Sequence, residues 1–270
     1  MEKLEVYENY LKEMELSKGT CDLYLKQAKL FLDYVGDRPL SKEVAVSYRE
    51  ELLERKLSIS TVNLYLIAVN RYLKYVGCSS FVVRTVKVQK KNSVENVISR
   101  REYQSLLSYA KSSGHEKYYY IMKTLAMTGI RISELKFFTV EAMQKGMTYV
   151  YNKGKIREVY LPDCLIVELT EYCEREHLRE GIIFRGKENQ PISRTTVYKM
   201  MVHLADMVGV PKEKAHPHSF RHFFALTYME HYANLAELAD ILGHSSIETT
   251  RIYTTSSSEE KRRRLNHLDL

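Results

Sequence analysis

The sequence predicts a mainly α chain of α+β type: an N-terminal four-helix domain, then a mostly helical domain carrying a small antiparallel β-sheet. Three observations predict it. Apolar residues recur at helical spacing through the first 80 residues. A basic run follows them, as a linker would. Beyond it, "MTYVYNKGKIREVYLP" switches to alternation around Lys153, Gly154 and Lys155, which reads as a β-hairpin. These breaks divide the chain into a domain at residues 1–83, a linker at 84–97 and a second domain at 98–270.

In the first domain, Cys21, Tyr24, Ala28, Phe31, Leu32 and Val35 form one apolar stripe that Gly36 stops. Val62, Tyr65, Leu66, Val69, Leu73 and Val76 form another before Gly77. The two segments are alike: "LSKGTCDLYLKQAKLFLDYVG" and "LSISTVNLYLIAVNRYLKYVG" share ten of 21 residues at an offset of 41. The register extends to the preceding helices, where Tyr7 falls on Tyr48, Leu11 on Leu52 and Glu13 on Glu54. A duplicated helical hairpin is expected, four helices in all.

In the second domain, Ser99 and Glu102 make a capping box before Tyr103, Leu106, Leu107 and Ala110. A helix at about 118–127 stops at Thr128 and Gly129. After the hairpin, helices are expected at about 164–177, 194–208, 218–231 and 235–242.

Hydrophobic content of 44% and charged content of 28% suit a soluble globular protein. No apolar run approaches the ~18–20 residues of a membrane span, and "MEKLEVYENYLKEMEL" is helix-like and unlike a signal peptide. Cys21, Cys78, Cys164 and Cys173 show no metal spacing and read as reduced cysteines of a cytoplasmic protein. Net charge is +7, and residues 84–101 hold six Lys/Arg against one acidic residue, +5 of that total. Arg84, Lys87, Lys90, Lys91, Arg100 and Arg101 are therefore candidate phosphate contacts, which would release counterions from DNA; a merely solvated linker is the alternative.

Three places put chargeable groups where a plain core would not want them. "TGIRISEL" sets Arg131 between two isoleucines after a glycine, "HPHSFRH" sets His218 and Arg221 on one helical face, and "LGHSSIETTRIY" supplies His244 and Tyr253. Each alone has an ordinary explanation, and Tyr253 is one of 21 tyrosines. Together they form a kit. Two arginines can grip the non-bridging oxygens of one phosphodiester. Histidines and a lysine can move protons or donate to charge on phosphorus. A phenol can attack phosphorus and leave again, so a covalent step needs no ATP. No carboxylate cluster suits a two-metal nuclease, and there is no Walker A loop.

With these three boxes in order, the sequence resembles the tyrosine recombinases of the phage-integrase and Xer type, from Ile98 to Thr254. The first 83 residues are similar to that family's core-binding domain. The resemblance implies a site-specific DNA recombinase without metal or cofactor, whose domains close round double-stranded DNA as a C-shaped clamp. It implies that Arg131 and Arg221 hold the scissile phosphate and that His218 and His244 assist. Tyr253 is then the nucleophile that forms a 3′-phosphotyrosine, and a hairpin lysine protonates the departing 5′-oxygen. In "NKGKIRE" that lysine is Lys153, which precedes Gly154, with Lys155 the alternative; Asn152 stands where the family has Gly, and the turn is one residue shorter. The resemblance further implies a homotetramer on two sites, a monomer or weak oligomer without DNA, and a cytoplasmic, nucleoid-associated protein. No arm-binding domain is expected before the first helices, and "TSSSEEKRRRLNHLDL" is a candidate for a segment exchanged between subunits, or a frayed basic tail.

Two other readings share some of these residues. A helix-turn-helix regulator would use 246–253 as its recognition helix but leaves Arg131, His218 and Arg221 without a role. A type IB topoisomerase would use the same chemistry to relax DNA; the short chain and the Xer-like first domain speak against it.

Overall fold

A computed structural model describes residues 2–87, 96–152, 154–244, 246–254 and 266. Lys90, Lys91, Lys153 and nearly all of the segment after Thr254 lie outside the described residues. The chain divides into two compact units, residues 1–90 and 91–270, each with its own apolar core.

The first unit is four helices: α1 (Glu2–Glu13), α2 (Lys18–Val35), α3 (Lys42–Glu54) and α4 (Ile59–Tyr75). The internal repeat has a physical basis. Ser17 and Ser58 cap α2 and α4, each accepting from the backbone N–H of the repeated threonine, Thr20 or Thr61. Tyr7 and Tyr48, and Leu11 and Leu52, are fully buried pairs at equivalent places. Neither tyrosine hydroxyl has a hydrogen-bond partner among the described residues. The chain leaving α4 is pinned back to it: Asn70 exchanges two hydrogen bonds with the backbone of Val83 (2.8 and 2.9 Å), and Asn63 does the same with Val86 (2.9 and 2.8 Å). Arg84 and Lys87, beside these anchors, are exposed.

The second unit begins with α5 (Arg100–Ser112), opened by the expected capping box of Ser99 and Glu102, and α6 (Glu116–Thr128). A 3₁₀ segment, Ile132–Phe137, and a five-residue helix α7 (Val140–Gln144) follow; the apolar pattern had signalled neither. Strands β1 (Met147–Asn152) and β2 (Lys155–Tyr160) pair antiparallel, from Met147 with Tyr160 to Asn152 with Lys155. Then come α8 (Asp163–Arg175), α9 (Arg194–Met207), α10 (Pro217–Tyr232) and α11 (Leu235–Leu242). Helix α6 is the central one: Tyr120, Ile121, Met122, Thr124, Leu125 and Ala126 are all buried, and it packs against α5, α8, α9 and α10.

Residues 246–253 do not form a recognition helix. They make two 3₁₀ turns, Ile247–Thr249 and Arg251–Thr254. Local side-chain bonds divert the backbone from an α-helix: Ser246 Oγ accepts from Glu248 N at 3.3 Å and Thr249 Oγ1 donates to Ser246 O at 2.6 Å. Among the described residues, no helix is long and apolar enough to cross a membrane.

Candidate active site

Two helix C-termini build the site. An α-helix ends with carbonyls that have no partner in the helix, and its C-terminal end carries partial negative charge. Helix α6 ends at Gly129 (φ 62°) and α11 at Gly243 (φ 63°), both in the left-handed conformation that glycine adopts without a Cβ clash. Space also demands glycine: a Cβ at Gly129 would meet the Phe224 ring 2.8 Å away at Cε1, and one at Gly243 would lie 2.6 Å from Arg157 Nε. The freed carbonyls receive an arginine. Arg221, on α10 and 1% exposed, donates to Gly129 O and to Leu242 O, both at 2.6 Å. Burial, with Arg131 nearby, lowers its pKa to about 9, so it remains a cation at neutral pH.

Arg131 leaves the same α6 terminus and opens the 3₁₀ segment. Its backbone N–H donates to Glu134 Oε2 (2.9 Å), its Nη1 donates to Glu134 Oε1 (3.2 Å), and its Nη2 reaches Gly243 O at 3.5 Å. Glu134 is 1% exposed and also binds Arg157 Nη2, from β2, at 2.7 Å. Burial holds the Arg157 guanidinium below the usual arginine range, partly offset by Glu134. Its Nη1 is buried without a hydrogen-bond partner among the described residues. Arg131, Glu134, Lys155, Arg157, Gly243 and His244 line a cleft of about 280 Å³.

The histidines carry defined protons. Arg221 Nη2 lies 3.0 Å from His244 Nε2, and an arginine can only donate, so that nitrogen accepts. His244 Nδ1 therefore carries the proton and donates to Thr250 Oγ1 at 2.8 Å. Burial and the neighbouring Arg221 depress its pKa to about 4, which agrees with a neutral ring. Tyr253 is 7% exposed, and its hydroxyl meets His222 Nδ1 at 2.7 Å. Burial pushes the phenol up to about 12 against the pull of Arg221. At neutral pH it is a protonated phenol.

The fold thus brings Arg131, Arg221 and His244 to one corner, at Leu242 and Gly243, with Tyr253 beside them in a small cluster with Ala225, Leu238 and Leu242. His218 is exposed, and its ring lies 4.3 Å from that of His222. Lys153 lies outside the described residues; Lys155, the alternative, is exposed and lines the cleft. Arg100 and Arg101 are exposed on the first turn of α5. Glu134, Arg157, His222 and Thr250 were missed from the sequence. Three had a weak signal: Glu134 is three residues after Arg131, Arg157 follows the hairpin lysines, and His222 adjoins Arg221. Thr250 had none. Among the described residues, no group of His, Cys, Asp or Glu could hold a metal ion.

The sequence model of the phage integrase family matches residues 96–260. This chain belongs to the phage integrase family. Among its relatives is the tyrosine recombinase XerD of Staphylococcus aureus, 34% identical over 155 residues, which is 54% of this chain and 52% of that protein. XerD of Yersinia pestis is 32% identical over 151 residues, 53% of this chain and 50% of that protein. The chain spans about half the length of the curated relatives it matches. In fold it is similar to the Tn1549 transposon integrase (aa 82-397), solved in complex with circular intermediate DNA. The TM-score is 0.78 at 18% identity, covering 98% of this chain and 99% of that one. It is also similar to XerH site-specific recombinase bound to its difH substrate, with TM-score 0.73 at 20% identity, covering 93% and 79%.

Proposed function

We propose that this family member is a site-specific DNA recombinase that cuts and rejoins double-stranded DNA through a 3′-phosphotyrosine. One observation carries the reading: Arg131, Arg221 and His244, from three distant parts of the chain, meet at one helix corner ten residues ahead of the buried Tyr253. Two guanidiniums so placed would hold the non-bridging oxygens of a phosphodiester and stabilise its pentacoordinate transition state. Tyr253 attacks phosphorus, and Lys153 protonates the departing 5′-oxygen. A partner strand's 5′-hydroxyl then reverses the step. His244 keeps Arg221 oriented, and His218, at the edge of the cluster, donates to the phosphate. In this reading four copies act on two DNA sites in the cytoplasm, with the basic residues 84–101 tracking phosphates. DNA-bound structures among the relatives, including a lambda integrase tetramer on a Holliday junction, support it.

The test is a covalent adduct. A duplex site is selected by repeated binding from a random-sequence library, nicked to trap the intermediate, and incubated with the full chain. A detergent-resistant adduct should form, and Tyr253→Phe should abolish it while leaving binding within a few-fold, because only the nucleophilic oxygen is lost. An adduct that persists in Tyr253→Phe, or none from the wild type, overturns the proposal.

A further inference from the structure

We infer that His222, adjacent to Arg221 on α10, is the catalytic base that takes the Tyr253 hydroxyl proton as Tyr253 attacks phosphorus. This rests on the recombinase reading above and adds a residue to it.

The geometry is direct. Tyr253 Oη and His222 Nδ1 are 2.7 Å apart, inside the ~2.6–3.2 Å range from which a base can take a proton. The phenol is protonated, so in this contact Oη–H donates and Nδ1 offers its lone pair. The imidazole is kept neutral by its surroundings. Burial comes first, and then His218 and His216 from the start of its own helix, Arg221 beside it and His244 from beyond α11; together they hold it down to about 4. Each of these neighbours disfavours the imidazolium.

The other histidines are worse placed. Both ring nitrogens of His244 are engaged, Nε2 accepting from Arg221 and Nδ1 donating to Thr250. It has no lone pair to offer. His218 touches the His222 ring, whereas the Tyr253 hydroxyl bonds to His222 itself.

The step balances. The Tyr253 Oη–P bond forms as the P–O5′ bond breaks, the phenolic proton passes to His222 Nδ1, and the 5′-oxygen leaves with a proton from Lys153. On religation the 5′-hydroxyl returns its proton to Lys153, and His222 gives its proton back to the departing phenol. From a phenol near 12 to an imidazole near 4, transfer is uphill at rest. It becomes feasible only as Oη bonds to phosphorus and its proton grows acidic, which restrains the nucleophile until a phosphate is in place.

The experiment compares wild type, His222→Asn and His222→Phe as full chains on the selected nicked duplex, following adduct formation from pH 5.5 to 9.5. The Asn oxygen stands where Nδ1 stood, so it keeps an acceptor for Oη but takes no proton; Phe keeps the ring volume. Thermal unfolding and duplex binding verify folding for each. Wild type should show no rise of rate with pH from this group, since the imidazole is already neutral. Both variants should be slower at pH 7 by roughly 10²–10⁴-fold and gain about tenfold per pH unit as hydroxide replaces the missing base. A His222→Asn rate within threefold of wild type overturns the inference, as does a loss that is the same at every pH, which would make His222 an anchor for the hydroxyl and nothing more. Either result leaves the recombinase reading standing. A wild type that forms no Tyr253 adduct would instead remove that reading, and this inference with it.

Discussion

Glu134 shows how one buried carboxylate organises the site. It is 1% exposed and binds Arg131 twice and Arg157 once, so two guanidiniums share one negative charge. Removing a partner from such a network strands buried charge. Glu134→Ala should therefore lose about 3–5 kcal/mol in urea unfolding, and Glu134→Gln less, since it keeps an acceptor. Inorganic phosphate should stabilise both variants more than wild type, because an anion in the cleft replaces the missing charge. Equal phosphate shifts in variant and wild type would mean that the anion does not bind in the cleft. The choice between Lys153 and Lys155 is tested at this scale. If Lys153 is the acid, Lys153→Ala should cleave ordinary DNA roughly 10²–10⁴-fold more slowly. It should recover when sulfur replaces the bridging 5′-oxygen, because a thiolate leaves unprotonated. Rescue of Lys155→Ala instead would move the role to the residue that lines the cleft.

Among the elements, the ends of α6 and α11 matter more than their lengths. Each ends on a left-handed glycine, and the carbonyls so presented hold Arg221. Gly243→Ala should lose about 1–2 kcal/mol from its backbone conformation alone. It should lose more from the overlap with Arg157, which Glu134 prevents from swinging aside. Gly114 provides the control, with φ at 76° and nothing within 4 Å of a new Cβ. Gly114→Ala should show the conformational loss only, with adduct formation intact, whereas Gly243→Ala should lose both stability and adduct. Equal effects at the two glycines would mean that the Leu242 and Gly243 carbonyls do not position the arginines.

Across the whole molecule, the question is how charge serves binding. Of the six basic candidates in residues 84–101, Arg84 and Lys87 are exposed beside backbone that Asn63 and Asn70 hold, and Arg100 and Arg101 are exposed on α5. Side chains carried on held backbone give up less freedom when they meet a phosphate. Neutralising Lys87, Lys90 and Lys91 together should weaken binding to all duplexes alike. The salt slope should fall by up to about 0.9 for each phosphate no longer neutralised. A slope that does not move would return the run to a solvated connector.

Sequence pattern alone determined the longer helices, the hairpin and the order of the boxes, though not the short α7, because periodicity, caps and glycine stops act over a few residues and are written locally. The repeat of α1 and α2 in α3 and α4 was legible for the same reason: Ser17 and Ser58 each cap their own helix. The local bonds of Ser246 and Thr249 show the limit of pattern, since an apparent recognition helix became two 3₁₀ turns. Arg131, Arg221, His244 and Tyr253 could be picked out by type and spacing. What joins them could not. Glu134 with Arg157, His244 with Thr250, and His222 with Tyr253 owe their pairing to where α10, α11, β2 and the closing turns pack. Only the tertiary structure decided which histidine faces the tyrosine, because His218, His222 and His244 are alike as residues and differ only in which neighbours burial leaves within hydrogen-bonding reach.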